Sequence, residues 1–265
     1  MLGAIAGDII GSIYEFECVK TKDFELFPKG CFPTDDSLMT IAVGLTCVSA
    51  NLDDERDFEK TLCQNMRMIG RLYPGAGYGK SFFYWLHDEK RGPYGSFGNG
   101  SAMRVSPVAY AAKTLEDAEK LAEWSAKVTH NHPEGIKGAK ATAAAVFMAR
   151  SGASKEEIRA YIEEKYYSLD FTVDEIRPIY SYDVTCQGSV PESIECFLEA
   201  KDYEDTVRNA VSLGGDGDTM AAIAGAIAEA FFGIPENIAE AALGTMDEAQ
   251  RKWYDSYAGK LYGQP

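Results

Sequence analysis

Glycines at positions 3, 7 and 11 recur every four residues inside the apolar segment LGAIAGDIIGSI, and this spacing constrains the fold more than any other feature of the chain. On a helix it makes one stripe without side chains. Ala139–Ala149 and Ala221–Ala230 are similarly rich in small residues. Such faces let backbones approach closely, as in a compact all-α globule. The tetrapeptide Ala-Ile-Ala-Gly occurs at 4–7 and again at 222–225, which two small-residue helices explain as well as duplication does.

The rest of the chain follows the same pattern. Few segments alternate strictly, and no paired β-branched runs flank an Asn-Gly turn. Apolar periodicity predicts helices over about 2–14, 35–50, 54–71, 79–88, 100–112, 115–129, 134–150, 155–167, 173–181, 190–200, 203–212, 217–232, 236–243 and 246–261. Thr114…Asp117, Ser154…Glu157 and Thr172…Glu175 carry the N-cap pattern. Pro133, Pro191 and Pro235 suit first helical turns. No linker, charge run or low-complexity stretch divides the 265 residues, so a single domain over 1–265 is expected.

Charge and cysteine usage narrow the function. The 41 acids against 26 Lys and Arg give a net charge of −15, which repels a bare phosphate backbone, so no nucleic-acid partner is expected. A small anion is still admissible, because a local site can oppose the global field. Six scattered cysteines without a C-x-x-C, and only three histidines, argue for buried free thiols and against a zinc site. The N-terminus has no basic region before its apolar run, and the apolar stretch Met220 to Gly233 contains Glu229 and is too short to span a bilayer. A monomeric cytoplasmic protein without a membrane partner is the expectation.

Asp8, Ser12 and Glu15 share one face of the first helix. Asp8 either pairs inside the bundle or opens onto a ligand, and Glu15 either ends a solvated helix or faces that ligand. Two acidic clusters are more informative. Thr34-Asp35-Asp36-Ser37 opens one apolar helix, and Asp216-Gly217-Asp218-Thr219 opens another. Each alone can be a cap or a turn. Together they offer carboxylates and threonine hydroxyls, hard oxygen donors suited to Mg²⁺, Mn²⁺ or Ca²⁺. Four carboxylates brought together repel strongly unless cations lie between them, and two divalent ions are the economical explanation. The loop Gly95-Ser96-Phe97-Gly98-Asn99-Gly100 can present N–H groups to an anion, with Phe97 as a stacking surface, or can be a tight turn. His130 and His132, in isolation, read as core or capping residues, and Arg104 as a buried ion-pair partner. In the segment Tyr73 to Asp88, Phe82–Leu86 reads as a packed helix, while Tyr73–Lys80 is open between a flexible lead-in and the acceptor side of a cleft.

The blocks GAIAGDIIGSIYE, PTDDSLMT, GNGSAMRVSP, THNHPEG and GGDGDTMAAIAGAIAEAFFG resemble, in order, signatures of the ADP-ribosylglycohydrolase family. That resemblance implies an all-α, orthogonally packed multi-helix bundle. It implies two divalent cations, Mg²⁺ or Mn²⁺, held by Thr34, Asp35, Asp36, Asp216, Asp218 and Thr219, with Glu15 and Asp36 as the acids near the chemistry. It assigns Gly95, Ser96, Phe97, Gly98, Asn99, Gly100 and His130 to the ADP-ribose side of a cleft. The implied partner is an ADP-ribosylated protein or an ADP-ribose conjugate. The residues by themselves leave open a two-metal nucleotide phosphohydrolase and a non-catalytic binder.

Overall fold

The computed structural model describes residues 1–263, so the last two positions of the expected 1–265 domain lie outside the described residues. Helix follows helix: α1 (Leu2–Gly11), α2 (Asp35–Ser49), α3 (Glu55–Leu72), α4 (Lys80–His87), α5 (Gly100–Met103), α6 (Ser106–Ala111), α7 (Leu115–Lys127), α8 (Pro133–Arg150), α9 (Lys155–Lys165), α10 (Val173–Ile176), α11 (Cys186–Glu199), α12 (Tyr203–Ser212), α13 (Gly217–Phe232), α14 (Glu236–Thr245) and α15 (Glu248–Tyr262). The described residues contain no strand, only a single bridge between Gly98 and Thr185, so the fold is all-α as expected.

The glycine stripe of α1 lies on α13, across more than 200 residues of sequence. A Cβ on Gly7 would stand 2.5 Å from the carbonyl carbon of Ala221, and one on Gly225 would stand 2.5 Å from the oxygen of Gly3. The two Ala-Ile-Ala-Gly tetrapeptides are therefore the two sides of one close helix contact. The small residues of α13 also face α8, α11 and α12. Buried apolar side chains from Met1 to Leu261 form a contiguous core around this pair. The first helix is shorter than its periodicity suggests and ends at Gly11, so Glu15 sits on a turn beyond it rather than on a helical face.

Capping decides most other boundaries. Thr114 caps α7, Ser154 and Thr172 make full capping boxes on α9 and α10, and His132 Nδ1 accepts from Glu134 N at 3.1 Å ahead of Pro133. Three expectations need correction. The segment 100–112 is two helices, because Pro107 has no N–H to continue the ladder back to Met103. The segment 173–181 shortens to α10 for the same reason at Pro178. Pro191 lies inside α11, which begins after the Thr185 N-cap four residues earlier than expected, and Pro235 precedes α14 as its N-cap. All six cysteines are free; Cys47, Cys186 and Cys196 are buried as expected, whereas Cys18 is exposed. No helix among the described residues is long and apolar enough to cross a membrane.

Candidate metal centre and cleft

The two acidic clusters meet because α2 and α13 both start at the same place. Asp8, on α1 between them, organises the first. It is fully buried and accepts from Thr34 N (2.9 Å), Thr34 Oγ1 (2.6 Å), Ser37 N (3.0 Å) and the Ser37 hydroxyl. These bonds hold the first turn of α2, where Thr34 Oγ1 also accepts from Asp36 N at 3.2 Å. Asp8 thus pairs inside the bundle, and its burial raises its carboxyl to about 6 despite the four donors. Asp35 N is held by the carbonyl of Ala76 at 2.8 Å, which fixes the lead-in of α4 against the cluster.

The second cluster starts α13. Asp216 is its N-cap residue, and its Oδ2 accepts from Asn99 Nδ2 at 2.7 Å; Asn99 Nδ2 also contacts Ser189 Oγ at 3.2 Å. Asp218 Oδ1 accepts from Thr219 N at 2.8 Å. Glu15 completes the group. One ligand atom each from Glu15, Asp216 and Asp218 lies within 4.8 Å of the others. Tyr182 donates its hydroxyl to Glu15 Oε1 at 3.2 Å, and its ring stacks on Phe16 with centroids 6.2 Å apart.

Burial and repulsion between carboxylates raise every one of these acids. Burial, then the charge of Asp216, raises Glu15 to about 7. Burial and the charges of Asp8 and Asp216 push Asp35 well up; burial and the charges of Asp8 and Asp35 do the same to Asp36. Burial raises Asp216 although the Asn99 bond opposes it, and burial with the Asp216 charge raises Asp218. Asp36 Oδ2 is buried with no hydrogen-bond partner among the described residues. An orphaned carboxylate oxygen facing other carboxylates, with only hard oxygen donors nearby, fits a divalent cation.

A cavity of about 460 Å³ joins these acids to the glycine loop. Glu15, Asp35, Asp36, Asp216, Asp218 and Thr219 line it, and so do Ser96, Gly98, Asn99, Gly100 and His130. Three other expected site residues do not. Thr34 is turned to Asp8, Gly95 lies outside the lining with its N–H on Asn131 Oδ1 (2.7 Å), and Phe97 is 45% exposed with its ring against His132. The loop is braced rather than open. Gly98 N donates to Ser96 Oγ (3.2 Å), Asn99 N to the carbonyl of Val184 (2.8 Å), and Cys186 N to that of Phe97 (2.9 Å). His130 is buried, bonded through Nδ1 to Thr129 Oγ1 at 2.7 Å; burial, then the charge of Arg104, drives its pKa well down.

Gly77, Gly79 and Lys80, from the segment open between a flexible lead-in and the acceptor side of a cleft, form one wall with Ser81, so the lead-in of α4 is part of the cleft, while Phe82, Trp85 and Leu86 are buried as a packed helix. Tyr182 and Val184 come from the irregular segment after α10, where no periodicity exists to place them. Arg104 was expected to be ion-paired. It is 1% exposed, yet among the described residues it forms no ion pair and bonds the carbonyl of Ser125 (2.8 Å) and Thr129 Oγ1 (2.9 Å) instead. The AMR sequence after the glycine loop is the only hint of it.

Known proteins resemble this chain. The chain is 28% identical to ADP-ribosylhydrolase ARH3 of Mus musculus, over 89% of this chain and 83% of the mouse protein. It is 34% identical to an uncharacterized protein of Archaeoglobus fulgidus, over 99% and 94% of the two chains. It is 26% identical to ADP-ribosylarginine hydrolase Tri1 of Pseudomonas putida, over 88% of this chain and 70% of that one. A solved structure of an ADP-ribosylglycohydrolase-related protein complex matches with a TM-score of 0.68 at 22% identity, covering 98% of this chain and 96% of that chain, a likeness of fold. The family model described as ADP-ribosylglycohydrolase matches residues 1–265. The chain therefore belongs to the ADP-ribosylglycohydrolase family of hydrolases.

Proposed function

We propose that this protein is a metal-dependent (ADP-ribosyl)hydrolase. It acts as one domain, releasing ADP-ribose from a modified protein side chain or small conjugate by hydrolysis at the anomeric carbon of the distal ribose. The observation that carries this reading is one cavity lined by both acidic blocks, Glu15 and the glycine loop. A two-metal site and a glycine loop lining the same cleft, joined through the Asn99–Asp216 bond, match a ligand that carries both a diphosphate and a reactive sugar. Relatives named for ADP-ribosyl hydrolysis agree.

Asp35, Asp36, Asp216, Asp218 and Thr219 would hold two divalent cations, Mg²⁺ or Mn²⁺, with Thr34 contributing from behind through its bonds to Asp8 and Asp36 N. When bound, the cations supply Lewis acidity and offset the buried negative charge. Glu15 and Asp36 are the carboxylates able to take a proton from attacking water or stabilise an oxocarbenium-like sugar. Asn99 fixes Asp216 while its own loop faces the nucleotide, so ligand grip and acid placement are mechanically joined. Gly98, Gly100 and His130 provide the close, side-chain-poor wall on which a diphosphate and its ribose would rest. Gly95, Ser96 and Phe97 would shape the loop's outer edge.

Product analysis tests the reading. Arginine- and serine-linked ADP-ribosylated substrates, assayed with Mg²⁺ and Mn²⁺ in turn, should yield free ADP-ribose, and Asp216→Ala should abolish its release. Inorganic phosphate or AMP as product, or full activity after exhaustive chelation, overturns it.

A further inference from the structure

His130 has two ring nitrogens, and its neighbours decide which one carries the proton. We propose that Arg104 and Thr129 act as positioning residues that lock His130 as the Nε2–H tautomer, so that it enters the cleft as a hydrogen-bond donor for a phosphate or sugar oxygen.

The direction of each bond follows from the first. A guanidinium has donors only, so Arg104 Nη2 donates to Thr129 Oγ1 at 2.9 Å and the hydroxyl oxygen accepts. A threonine hydroxyl has one hydrogen. Among the described residues its other partner is His130 Nδ1 at 2.7 Å. The hydroxyl hydrogen therefore points to Nδ1, which must be bare to accept it. The opposite tautomer would aim two donors at Oγ1 and strand its hydrogen in a fully buried place. The doubly protonated ring is excluded at neutral pH by burial and by the nearby guanidinium. The proton then resides on Nε2.

Nε2 faces the glycine loop. A Cβ on Gly100 would stand 3.2 Å from it, and one on Gly98 would stand 3.7 Å away. No protein acceptor bonds it among the described residues, and His130 lines the cavity. The backbone is fixed as well, with His130 N on the carbonyl of Ala126 at 2.7 Å. This donor matters because the loop amides of Gly95, Gly98 and Asn99 are already committed to protein oxygens.

The tautomer is independent of the proposed function; only the ligand's identity rests on it. Long-range ¹H–¹⁵N spectra of the full chain at pH 7 resolve three imidazoles, with His130 assigned by its loss in His130→Gln. The wild-type spectrum should show a pyridine-like Nδ1 and a pyrrole-like Nε2 at His130. Thr129→Val should mix the two tautomers and weaken ADP-ribose binding about tenfold by calorimetry, and Thr129→Ser should restore both. A pyrrole-like Nδ1 in the wild type overturns the proposal, as does a Val variant with unchanged spectrum and affinity. The expected spectra without any ADP-ribose binding would uphold the lock and sink the nucleotide reading instead.

Discussion

Gly11 meets the backbone of Asp218 with no room for a side chain: a Cβ on Gly11 would stand 2.6 Å from Asp218 N. The end of the first helix is thereby pressed against the start of α13, where the second acidic block sits. The glycine stripe does two jobs along its length. At Gly3 and Gly7 it packs helices, and at Gly11 it positions a carboxylate.

Substituting the stripe should separate those jobs. Gly7→Ala drives a methyl into the backbone of Ala221 and Ala222, deep in the core, and should cost about 3 kcal/mol in urea denaturation. Gly11→Ala can be relieved by shifting the first turn of α13, so it should cost less stability and more activity. Equal losses of stability in the two variants would contradict this division.

Asp8 is expected to be structural in a way that activity depends on. Asp8→Asn puts an amide against two backbone N–H groups and two hydroxyls that now share one carboxylate. The variant should lose about 3 kcal/mol, because buried donors are left without an acceptor. Chemical denaturation checks the magnitude, and a change under 1 kcal/mol would show that the four bonds are not formed together.

The helices were legible because their signals are local. Thr114, Ser154 and Thr172 each cap within four residues, and periodicity marks the spans between. The breaks at Pro107 and Pro178 were also written in the chain but are masked by the apolar pattern running through them. The acidic blocks and Glu15 were readable through chemistry and resemblance. Tyr182 and the lack of an ion pair at Arg104 among the described residues were not, because each depends on tertiary placement of an irregular segment or on a missing partner. Phe97 shows the converse: a suitable residue in a suitable loop, turned outward by the bond from Cys186 N to its carbonyl and the contact with His132.

Tyr182 should act through Glu15. Tyr182→Phe keeps the ring on Phe16 and removes only the hydroxyl that holds Glu15 Oε1. Turnover should fall about tenfold with little change in KM or stability, since one hydrogen bond to a carboxylate orients a group without binding the nucleotide. A steady-state kcat and KM comparison decides; a rise in KM alone assigns Tyr182 to substrate binding.

Glu192 gives a pH signature outside the cleft. Burial, then the charge of Asp183, raises its carboxyl to about 7 from an ordinary 4.5, and its Oε2 has no partner among the described residues. The folded state holds this proton more tightly than the unfolded chain. Its share of stability is therefore full below pH 4.5 and is lost as pH rises toward 7. Glu192→Gln removes the titration. It should be more stable than wild type by about 2 kcal/mol at pH 8 and nearly equal at pH 4.5, as urea midpoints at the two values will show.

Divalent cations should stabilise the fold as well as the reaction. The buried acids repel one another, and Asp36 Oδ2 has no hydrogen-bond partner among the described residues. A cation binding only the folded state at a hundredfold its Kd adds about 2.7 kcal/mol, which for a chain of this size raises Tm by about 5 to 10 °C. Asp36→Asn removes both a ligand and a repelling charge. The variant should therefore melt at or above the wild-type temperature in chelator, yet gain little from Mg²⁺ or Mn²⁺. This crossing of the two melting curves separates a metal ligand from a structural carboxylate, whose loss lowers both. An Asp36→Asn protein that gains as much from the cation as wild type would remove Asp36 from the ligand set.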